Sequence, residues 1–236
     1  MENLPKHISI IPDGNRRWAK RRGLPSFFGH REGAKTTEKL LKVVIEELKI
    51  PYLTFWGCSV DNIAKRPEKE VKFLFDIFEK NFKKLAKSKY IHKNQVKIRV
   101  LGRWEKMFPE NAKNSIKEAI EKTKNYKNYN LTFLMAYSGV DEMASAINKI
   151  AELRIKNSEL RIDEELIKNN LWTKDLLAVD LAIRTGGEPH WSSGMMMWDI
   201  ANAHFYFTET LFPAFSTAEF KRAVLNFSKT ERRKGK

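Results

Sequence analysis

Residues 13–17 bring together the side-chain types that bind phosphates and metal ions. They read Asp-Gly-Asn-Arg-Arg, and they follow the β-branched run His7–Ile11 and Pro12. This order predicts a strand, a tight turn and a helix N-terminus, whose first backbone N–H groups point toward any anion placed there. A carboxylate such as Asp13 repels an anion unless a divalent cation bridges the two. The segment therefore indicates either a magnesium-assisted diphosphate site or only a turn with a helix cap.

Two more polar clusters follow strand-like runs. Ser59–Asn62 and then Arg66 come after the run at 52–57, and Thr185–Glu188 comes after Leu181–Arg184. In open α/β sheets, ligands bind beyond the carboxyl ends of the strands. The sequence therefore predicts that these clusters join residues 13–17 in one phosphate site. Because no P-loop or glycine-rich dinucleotide motif is present, a nucleotide is not implied.

The elements that must position these residues alternate along the chain. Strand-like runs occur at 7–11, 52–57, 96–101, 131–136, 181–184 and 204–208, and helical patterns occur at 33–48, 67–85, 109–124, 141–154 and 216–227. This alternation predicts an α/β fold, with a mainly parallel six-stranded sheet flanked by helices. We expect a single domain over residues 1–228 and a basic C-terminal tail over 229–236.

Composition narrows the function classes. The chain has 236 residues, a net charge of +15 and one cysteine, which excludes an internal disulfide framework. No apolar run approaches the roughly 18 residues of a membrane span, so we expect a cytoplasmic protein. The positive charge fits a polyanionic partner or solvated lysine-rich helices. No interleaved aromatic and basic stripe supports nucleic-acid binding, so we expect no nucleic-acid partner. The tail is either solvated or in peripheral contact with anionic lipid at the inner membrane face.

Four sequence blocks resemble the signatures of the cis-prenyltransferases, the undecaprenyl diphosphate synthase family. They are the Asp-Gly-Asn block from Asp13 to Lys20, Phe28–His30, Arg184–Glu188 and Phe205–Glu209, and Glu231–Arg233 also fits. The resemblance implies a hydrophobic tunnel for the growing chain, Mg²⁺ as the cofactor and a homodimer. It also implies that isopentenyl diphosphate condenses with an allylic prenyl diphosphate to give a (Z)-polyprenyl diphosphate, a lipid-carrier precursor.

The resemblance also implies roles for individual residues. Asp13 would hold Mg²⁺ on the allylic diphosphate and Asn62 would help to remove the proton, so these two are the expected catalytic residues. The expected substrate-binding residues surround them: Gly14, Asn15, Arg16, Arg17, Trp18, Ser26, His30, Ser59, Val60, Asp61, Arg66, Arg184, His190, Trp191 and Ser192. Tunnel-lining candidates are Trp56, Gly57 and the helix from Val71 to Leu85.

Several positions depart from the family pattern. Ser26 and His190 stand where the family has arginines, and the segment after Asn62 lacks a tryptophan. His204 aligns with the second metal ligand of the family, which is normally a glutamate. His204 is then either a second metal ligand beside Asp13 or a residue that fills the space of the lost carboxylate.

Three alternatives remain beside chain elongation. The chain could make a short or branched product by head-to-middle condensation, or it could be a non-catalytic subunit of a heteromeric prenyltransferase. Asp13 and Asn62 argue against the non-catalytic subunit. The third alternative, a basic nucleic-acid-binding protein, rests on net charge alone.

Overall fold

Runs of β-branched and aromatic residues form six strands, as such residues favour the pleated, half-buried surface of a sheet. The structure is a computed structural model that describes residues 3–230. Its strands are β1 (His7–Ile11), β2 (Tyr52–Cys58), β3 (Val96–Leu101), β4 (Tyr129–Met135), β5 (Leu181–Arg184) and β6 (His204–Phe207). They form one sheet in the order β3-β4-β2-β1-β5-β6. Every neighbouring pair is parallel, which confirms the predicted sheet.

Helices connect the strands, as parallel pairing requires. The α-helices are α1 (Asn15–Lys20), α2 (Ser26–Lys42), α3 (Val60–Lys65), α4 (Glu68–Ala86), α5 (Lys89–Lys93), α6 (Trp104–Met107), α7 (Glu110–Thr123), α8 (Gly139–Lys156), α9 (Glu164–Asn170) and α10 (Thr217–Lys229). A π-helical segment, Val43–Leu48, continues α2, and a 3₁₀ turn covers Phe212–Ala214. Among these helices, none combines the length and hydropathy that a membrane crossing requires.

Two apolar cores lie on opposite faces of the sheet. Leu53 and Phe55 belong to the larger core, whereas Trp56 belongs to the smaller one. The same alternation occurs on β5, where Ile183 faces the larger core and Ala182 the smaller. Successive strand residues point to opposite faces, so both faces of the sheet are covered.

The parallel sheet brings the carboxyl ends of its strands to one edge, where the polar clusters follow. Ile11 pairs with Arg184, and Thr185 binds back across this edge, donating from Oγ1 to the Asp13 carbonyl oxygen at 2.8 Å. This juxtaposition was predicted from the order of strands and motifs. At the other end of the chain, α10 runs through Lys229, one residue past the predicted domain boundary at 228. Glu231–Arg233 and the rest of the predicted tail lie outside the described residues.

Candidate active site

Asp13 lies between two guanidinium groups. Its Oδ2 is 3.0 Å from Arg184 Nη2, and its Oδ1 is 3.2 Å from Arg17 Nη2. The backbone N–H of Gly14 donates to Oδ1 at 2.6 Å, because the chain turns directly into α1. The Asp13 side chain is 32% exposed, whereas that of Arg184 is only 8% exposed. A buried arginine is thus held by a carboxylate that an incoming ligand can still reach.

A polar cavity of about 700 Å³ opens around this carboxylate. Its lining residues are Pro12, Asp13, Gly14, Asn15, Arg16, Arg17, Lys20, Leu24, Ser26, His30, Arg66, Arg184 and Glu188. Five of these side chains are cationic and two are carboxylates, so the lining favours an anion. Guanidinium groups bind phosphate oxygens in pairs through parallel N–H groups. The cavity lies where the sequence predicts a phosphate site, and α1, α2, β5 and the residue that follows α3 contribute to its lining.

Glu70, on the first turn of α4, organises the cations on one side of the cavity. Its Oε1 is 3.4 Å from Arg16 Nε, 3.4 Å from Arg66 Nη1 and 3.6 Å from His30 Nε2. Burial is the main cause that lowers the pKa of His30 to about 4; the nearby Arg66 also lowers it, whereas Glu70 raises it. His30 is therefore neutral at pH 7 and offers one donor and one acceptor nitrogen.

Four of the ten buried polar atoms without a hydrogen-bond partner among residues 3–230 lie at this site. They are Asn15 Oδ1, His30 Nε2, Glu70 Oε1 and Arg184 Nε. Buried polar groups in folded proteins are nearly always satisfied, so unsatisfied groups grouped around one cavity point to a bound ligand. Arg184 also donates from Nη1 to the His190 carbonyl oxygen at 2.7 Å, which orients the guanidinium plane.

An apolar cavity of about 390 Å³ adjoins the polar one. Pro12, Asn15 and His30 line both, so the two cavities meet at these residues. Most of the other lining side chains are apolar and come from β2, β4, α2 and α4; they include Leu41, Phe55, Trp56, Leu74, Ile77, Phe78, Phe82, Leu131, Phe133 and Met135. Trp56, Gly57 and α4 thus lie where the sequence suggested tunnel-lining residues.

Some predicted residues lie outside both cavities because they build a helix cap. Ser59 accepts a hydrogen bond from the Asn62 N–H at 3.0 Å, and the Ser59 N–H donates to Asn62 Oδ1 at 3.4 Å. This reciprocal capping box begins α3. Asp61 pairs with Lys65 at 2.8 Å on the exposed side of α3, and Val60 lies beside it. The Asn62 amide is held in this cap. Its role as a catalytic group stays a prediction.

The predicted aromatic and loop residues are also placed differently from the expectation. Trp18 packs under the Arg22 guanidinium, 4.0 Å from its ring centre, and does not line either cavity. His190, Trp191 and Ser192 lie on the loop after β5, with Trp191 donating to the Met195 carbonyl oxygen at 2.9 Å. His190 contacts the site through its backbone carbonyl oxygen, which accepts from Arg184, and through its ring, whose Nδ1 lies 3.6 Å from Glu188 Oε2.

Within one chain, the structure places His204 away from Asp13, and a shared metal ion stays a prediction. His204 begins β6 and pairs with Leu181, which pairs in turn with Ile8. At about 3.3 Å per strand residue, this register places His204 roughly 10 Å short of the carboxyl end of β1. Its ring packs against Phe227 of α10. Residues 3–230 contain no cluster of three or more potential metal ligands.

Among the charged residues at the cavity, Lys20, Glu70 and Glu188 were not among the individually expected substrate-binding or metal residues. Lys20 and Glu188 lie within quoted motifs, so their placement beside Arg17 could have been considered. Glu70 carried no comparable signal, since a glutamate in the first turn of a helix is ordinary. Its role depends on the packing of α4 beside α1 and α2, and not on local sequence.

Comparison with known proteins agrees with this site. A family model described as putative undecaprenyl diphosphate synthase matches residues 11–235. A tritrans,polycis-undecaprenyl-diphosphate synthase (geranylgeranyl-diphosphate specific) of Thermococcus kodakarensis is 39% identical over 238 residues, covering 99% of this chain and 88% of the relative. A protein of the same description from Methanocaldococcus jannaschii is 38% identical, covering 100% of this chain and 84% of the relative. An isoprenyl transferase of Thermotoga maritima is 36% identical, covering 98% and 97%.

A solved structure shares the whole fold. Lavandulyl diphosphate synthase from Lavandula x intermedia, in complex with dimethylallyl diphosphate, superposes with a TM-score of 0.88. It is 30% identical, and the match covers 99% of both chains. In this chain, a cation-lined cavity opens into an apolar one. Together with the family model, the relatives identify the chain as a cis-prenyl diphosphate synthase that belongs to the undecaprenyl diphosphate synthase family.

Proposed function

We propose that this enzyme condenses isopentenyl diphosphate with a long allylic primer of the geranylgeranyl diphosphate class and extends it with cis units. The observation that carries the proposal is the junction of the two cavities at Pro12, Asn15 and His30. A ligand with a diphosphate head and a hydrocarbon tail fits such a junction, since the cationic end binds the head and the apolar end removes the tail from water. The named specificity of the archaeal relatives supports the same primer class.

The chemistry needs stabilisation of a leaving anion. In each condensation, the C–O bond of the allylic diphosphate breaks and the diphosphate leaves with the electron pair. The double bond of isopentenyl diphosphate forms the new C–C bond to the allylic carbon, and loss of a proton restores a double bond. Arg16, Arg17 and Arg66 lie where they stabilise the charge that develops on the leaving group. Arg184 and the loop after β5 hold the diphosphate of the second substrate in this proposal.

The donor set fits Mg²⁺ as the cofactor. Mg²⁺ is commonly bound by one or two carboxylates together with substrate phosphates and water. Asp13 is a partly exposed carboxylate inside the cationic cavity, so it would hold the ion against the diphosphate. The bound ion would supply Lewis-acid stabilisation of the leaving oxygen. Glu188, on the same cavity wall, is paired with Arg17 at 3.8 Å.

Asp13→Asn tests the metal assignment. The amide keeps the shape of the side chain but loses its charge, so we expect turnover to fall roughly a thousandfold, about 4 kcal/mol of barrier. Thermal unfolding shows that the variant is folded. His204→Ala is the matched control and keeps the Mg²⁺ dependence of the wild type. A folded Asp13→Asn enzyme with substantial turnover, or a His204→Ala enzyme with altered metal dependence, contradicts the assignment.

Primer competition tests the proposed substrate class. Radiolabelled isopentenyl diphosphate is incubated with dimethylallyl, farnesyl or geranylgeranyl diphosphate, and the products are separated by chromatography. We expect the highest kcat/KM for the geranylgeranyl primer, because its tail fills most of the apolar cavity. The solved relative in complex with dimethylallyl diphosphate supports a second candidate function, the synthesis of a short or branched product. Exclusive use of the five-carbon primer, with a short or branched product, would establish that class instead.

A homodimer is the expected assembly, and the edge of the sheet supports it. Within residues 3–230, β6 is the last strand of the sheet and pairs only with β5. Phe205 and Phe207 project from the same side of β6, stack with ring centres 5.9 Å apart and are each 40% exposed. Exposed edge strands with apolar side chains are common pairing surfaces. We therefore place a second copy of the chain against this edge.

A further inference from the structure

The apolar cavity extends far beyond the diphosphate end, between helices α2 and α4. Both helices run away from the site, and α2 lines the cavity from His30 to Lys42. From His30 to Lys42, the rise of an α-helix gives a length of about 18 Å. On α4, the lining continues from Leu74 to Leu85, and Ser88 follows. The cavity is thus a channel along the helices and not a pocket beside the diphosphates.

At its distal end, the channel is lined by charged as well as apolar side chains. Leu41, Phe78 and Phe82 are apolar, whereas Glu38, Lys42 and Lys84 also line the channel. Lys84 Nζ donates to both carboxylate oxygens of Glu38, at 2.6 and 2.8 Å, and so joins α4 to α2. The two side chains are 65% and 45% exposed. The channel therefore reaches the protein surface between the two helices.

The opposite side of the distal end is more deeply buried. Ile91 of α5 and Leu131 of β4 line it, and each is only 1% exposed. Displacing them would disturb the larger core, in which they are packed. The gap between α2 and α4 is bridged at this point by a solvent-exposed ion pair, and exposed pairs of this kind add little to stability. A growing hydrocarbon chain therefore separates α2 and α4 at this gap at a lower cost in free energy than it displaces Ile91 and Leu131.

We propose that the growing chain leaves the channel sideways between α2 and α4, past the Glu38–Lys84 pair, instead of ending at Ile91 and Leu131. This inference rests on the proposed elongation function and adds the path by which the growing product leaves the enzyme. It makes the Glu38–Lys84 gap, and not a closed floor, the place where long products emerge. Side chains at this gap then determine how far the product extends.

Photolabelling tests the route directly. A geranylgeranyl diphosphate that carries benzophenone at its ω end is elongated with one to several equivalents of isopentenyl diphosphate, irradiated and mapped by peptide mass spectrometry. We expect the label to move with elongation to the peptides that contain Glu38 and Lys84. Labelling of the Ile91 and Leu131 peptides at every product length would overturn the inference.

A substitution that blocks the gap provides the second measurement. Lys84→Trp places a large ring between α2 and α4, and we expect products shorter by at least one isoprenyl unit. Lys83→Trp is the matched control, because Lys83 lies next to Lys84, pairs with Glu79 on its own helix and does not line the channel. The rate of the first condensation is measured for both variants. Unchanged product length in Lys84→Trp counts against the route, and equal shortening in both variants does so as well.

The experiments distinguish failure of the elongation function from failure of the lateral exit. If the wild-type enzyme incorporates no labelled isopentenyl diphosphate into any primer, the elongation function itself is wrong. If it elongates the primer and the photolabel stays at Ile91 and Leu131, the function stands and the lateral exit is wrong.

Discussion

Arg184 is the residue whose geometry constrains the site most. Its two terminal nitrogens point to different partners, Nη1 to the His190 carbonyl oxygen at 2.7 Å and Nη2 to Asp13 at 3.0 Å. Because the side chain is nearly buried, its guanidinium plane has little freedom to turn. The fork therefore links the loop after β5 to the loop after β1, and these two loops carry the two halves of the phosphate site.

Arg184→Lys separates this geometry from simple charge. An ammonium group keeps the positive charge but cannot hold both partners, so we expect the KM for isopentenyl diphosphate to rise tenfold or more, about 1.4 kcal/mol or more of binding free energy. Steady-state kinetics at fixed primer concentration measure the effect. Arg22→Lys is the control, since Arg22 stacks on Trp18 outside the cavity. An Arg184→Lys enzyme with an unchanged KM would show that charge alone suffices.

At the residue scale, motifs identified most of the cavity but could not assign every contact. Asp13, Arg17 and Arg184 were predicted because their types and their positions after strands both point to phosphate chemistry. Glu70 was missed because its importance comes from three cations on other elements. His204 was assigned from the family alignment, whereas strand register decides which edge of the sheet a residue occupies and places it away from Asp13.

At the element scale, β1, β3 and β5 begin and end where the apolar runs predicted, whereas α2 begins earlier than expected. The predicted helix started at Gly33, and the observed one starts at Ser26. Gly29 and Gly33 resemble turn residues in sequence, but they allow α2 to approach α1. A Cβ at Gly29 would lie 1.9 Å from the Asn15 carbonyl oxygen, and one at Gly33 would lie 2.3 Å from Asn15 Oδ1. Close helix packing, which local sequence does not reveal, requires glycine at both positions.

His7 joins β1 to its surroundings and should make stability depend on pH. The ring is fully buried between the Leu177 carbonyl oxygen, 2.7 Å from Nδ1, and Thr54 Oγ1, 2.8 Å from Nε2. Burial lowers its pKa from 6.5 to about 4. Between these values the unfolded chain binds more protons than the folded one, so the stabilisation is complete above pH 6.5 and is lost as the pH falls toward 4.

Urea unfolding at pH 7 and pH 5 measures this contribution. For a shift of this size, wild type should lose about 2 kcal/mol more unfolding free energy than His7→Gln on going from pH 7 to pH 5. Between pH 7 and pH 8, His7 is neutral in both states, so the two proteins should change in parallel. An equal loss in both proteins between pH 7 and pH 5 would show that His7 is not the titrating group.

Gly57, near the carboxyl end of β2, should influence product length. A Cβ at this position would lie 2.4 Å from Met135 Sδ, and both residues line the apolar cavity. Gly57→Leu therefore adds volume and displaces Met135, and we expect shorter products in chromatography of the labelled chains. Gly57→Ala should have a smaller effect. Met135→Ala in the Gly57→Leu background restores space and should restore length, and failure of this rescue would remove Gly57 from the substrate path.

At the scale of the whole molecule, the sequence predicted a parallel α/β fold but not its strand order. Six strands alternating with helices require crossovers and a sheet covered on both faces. The order β3-β4-β2-β1-β5-β6 depends on where each crossover returns, and hydrophobic periodicity carries no such information. The same limit applies to the apolar cavity, which lies between α2 and α4 on one side and β2 and β4 on the other. Helix patterns alone predicted the apolar faces but not the space between them.

The free edge of the sheet leads to a prediction about assembly. Phe205 and Phe207 present two stacked rings on β6, which in the described part of the chain has a strand neighbour on one side only. In a two-fold dimer the same surface meets itself, so a carboxylate on it is buried opposite its own copy. Phe205→Glu should therefore convert the dimer to a monomer in sedimentation equilibrium, while the chain stays folded because the changed side chain is partly exposed. Leu225→Glu is the control, since Leu225 is similarly exposed, at 37%, but lies on α10, and it should leave the dimer intact. A Phe205→Glu protein that sediments as a dimer would place the second copy on another face of the molecule.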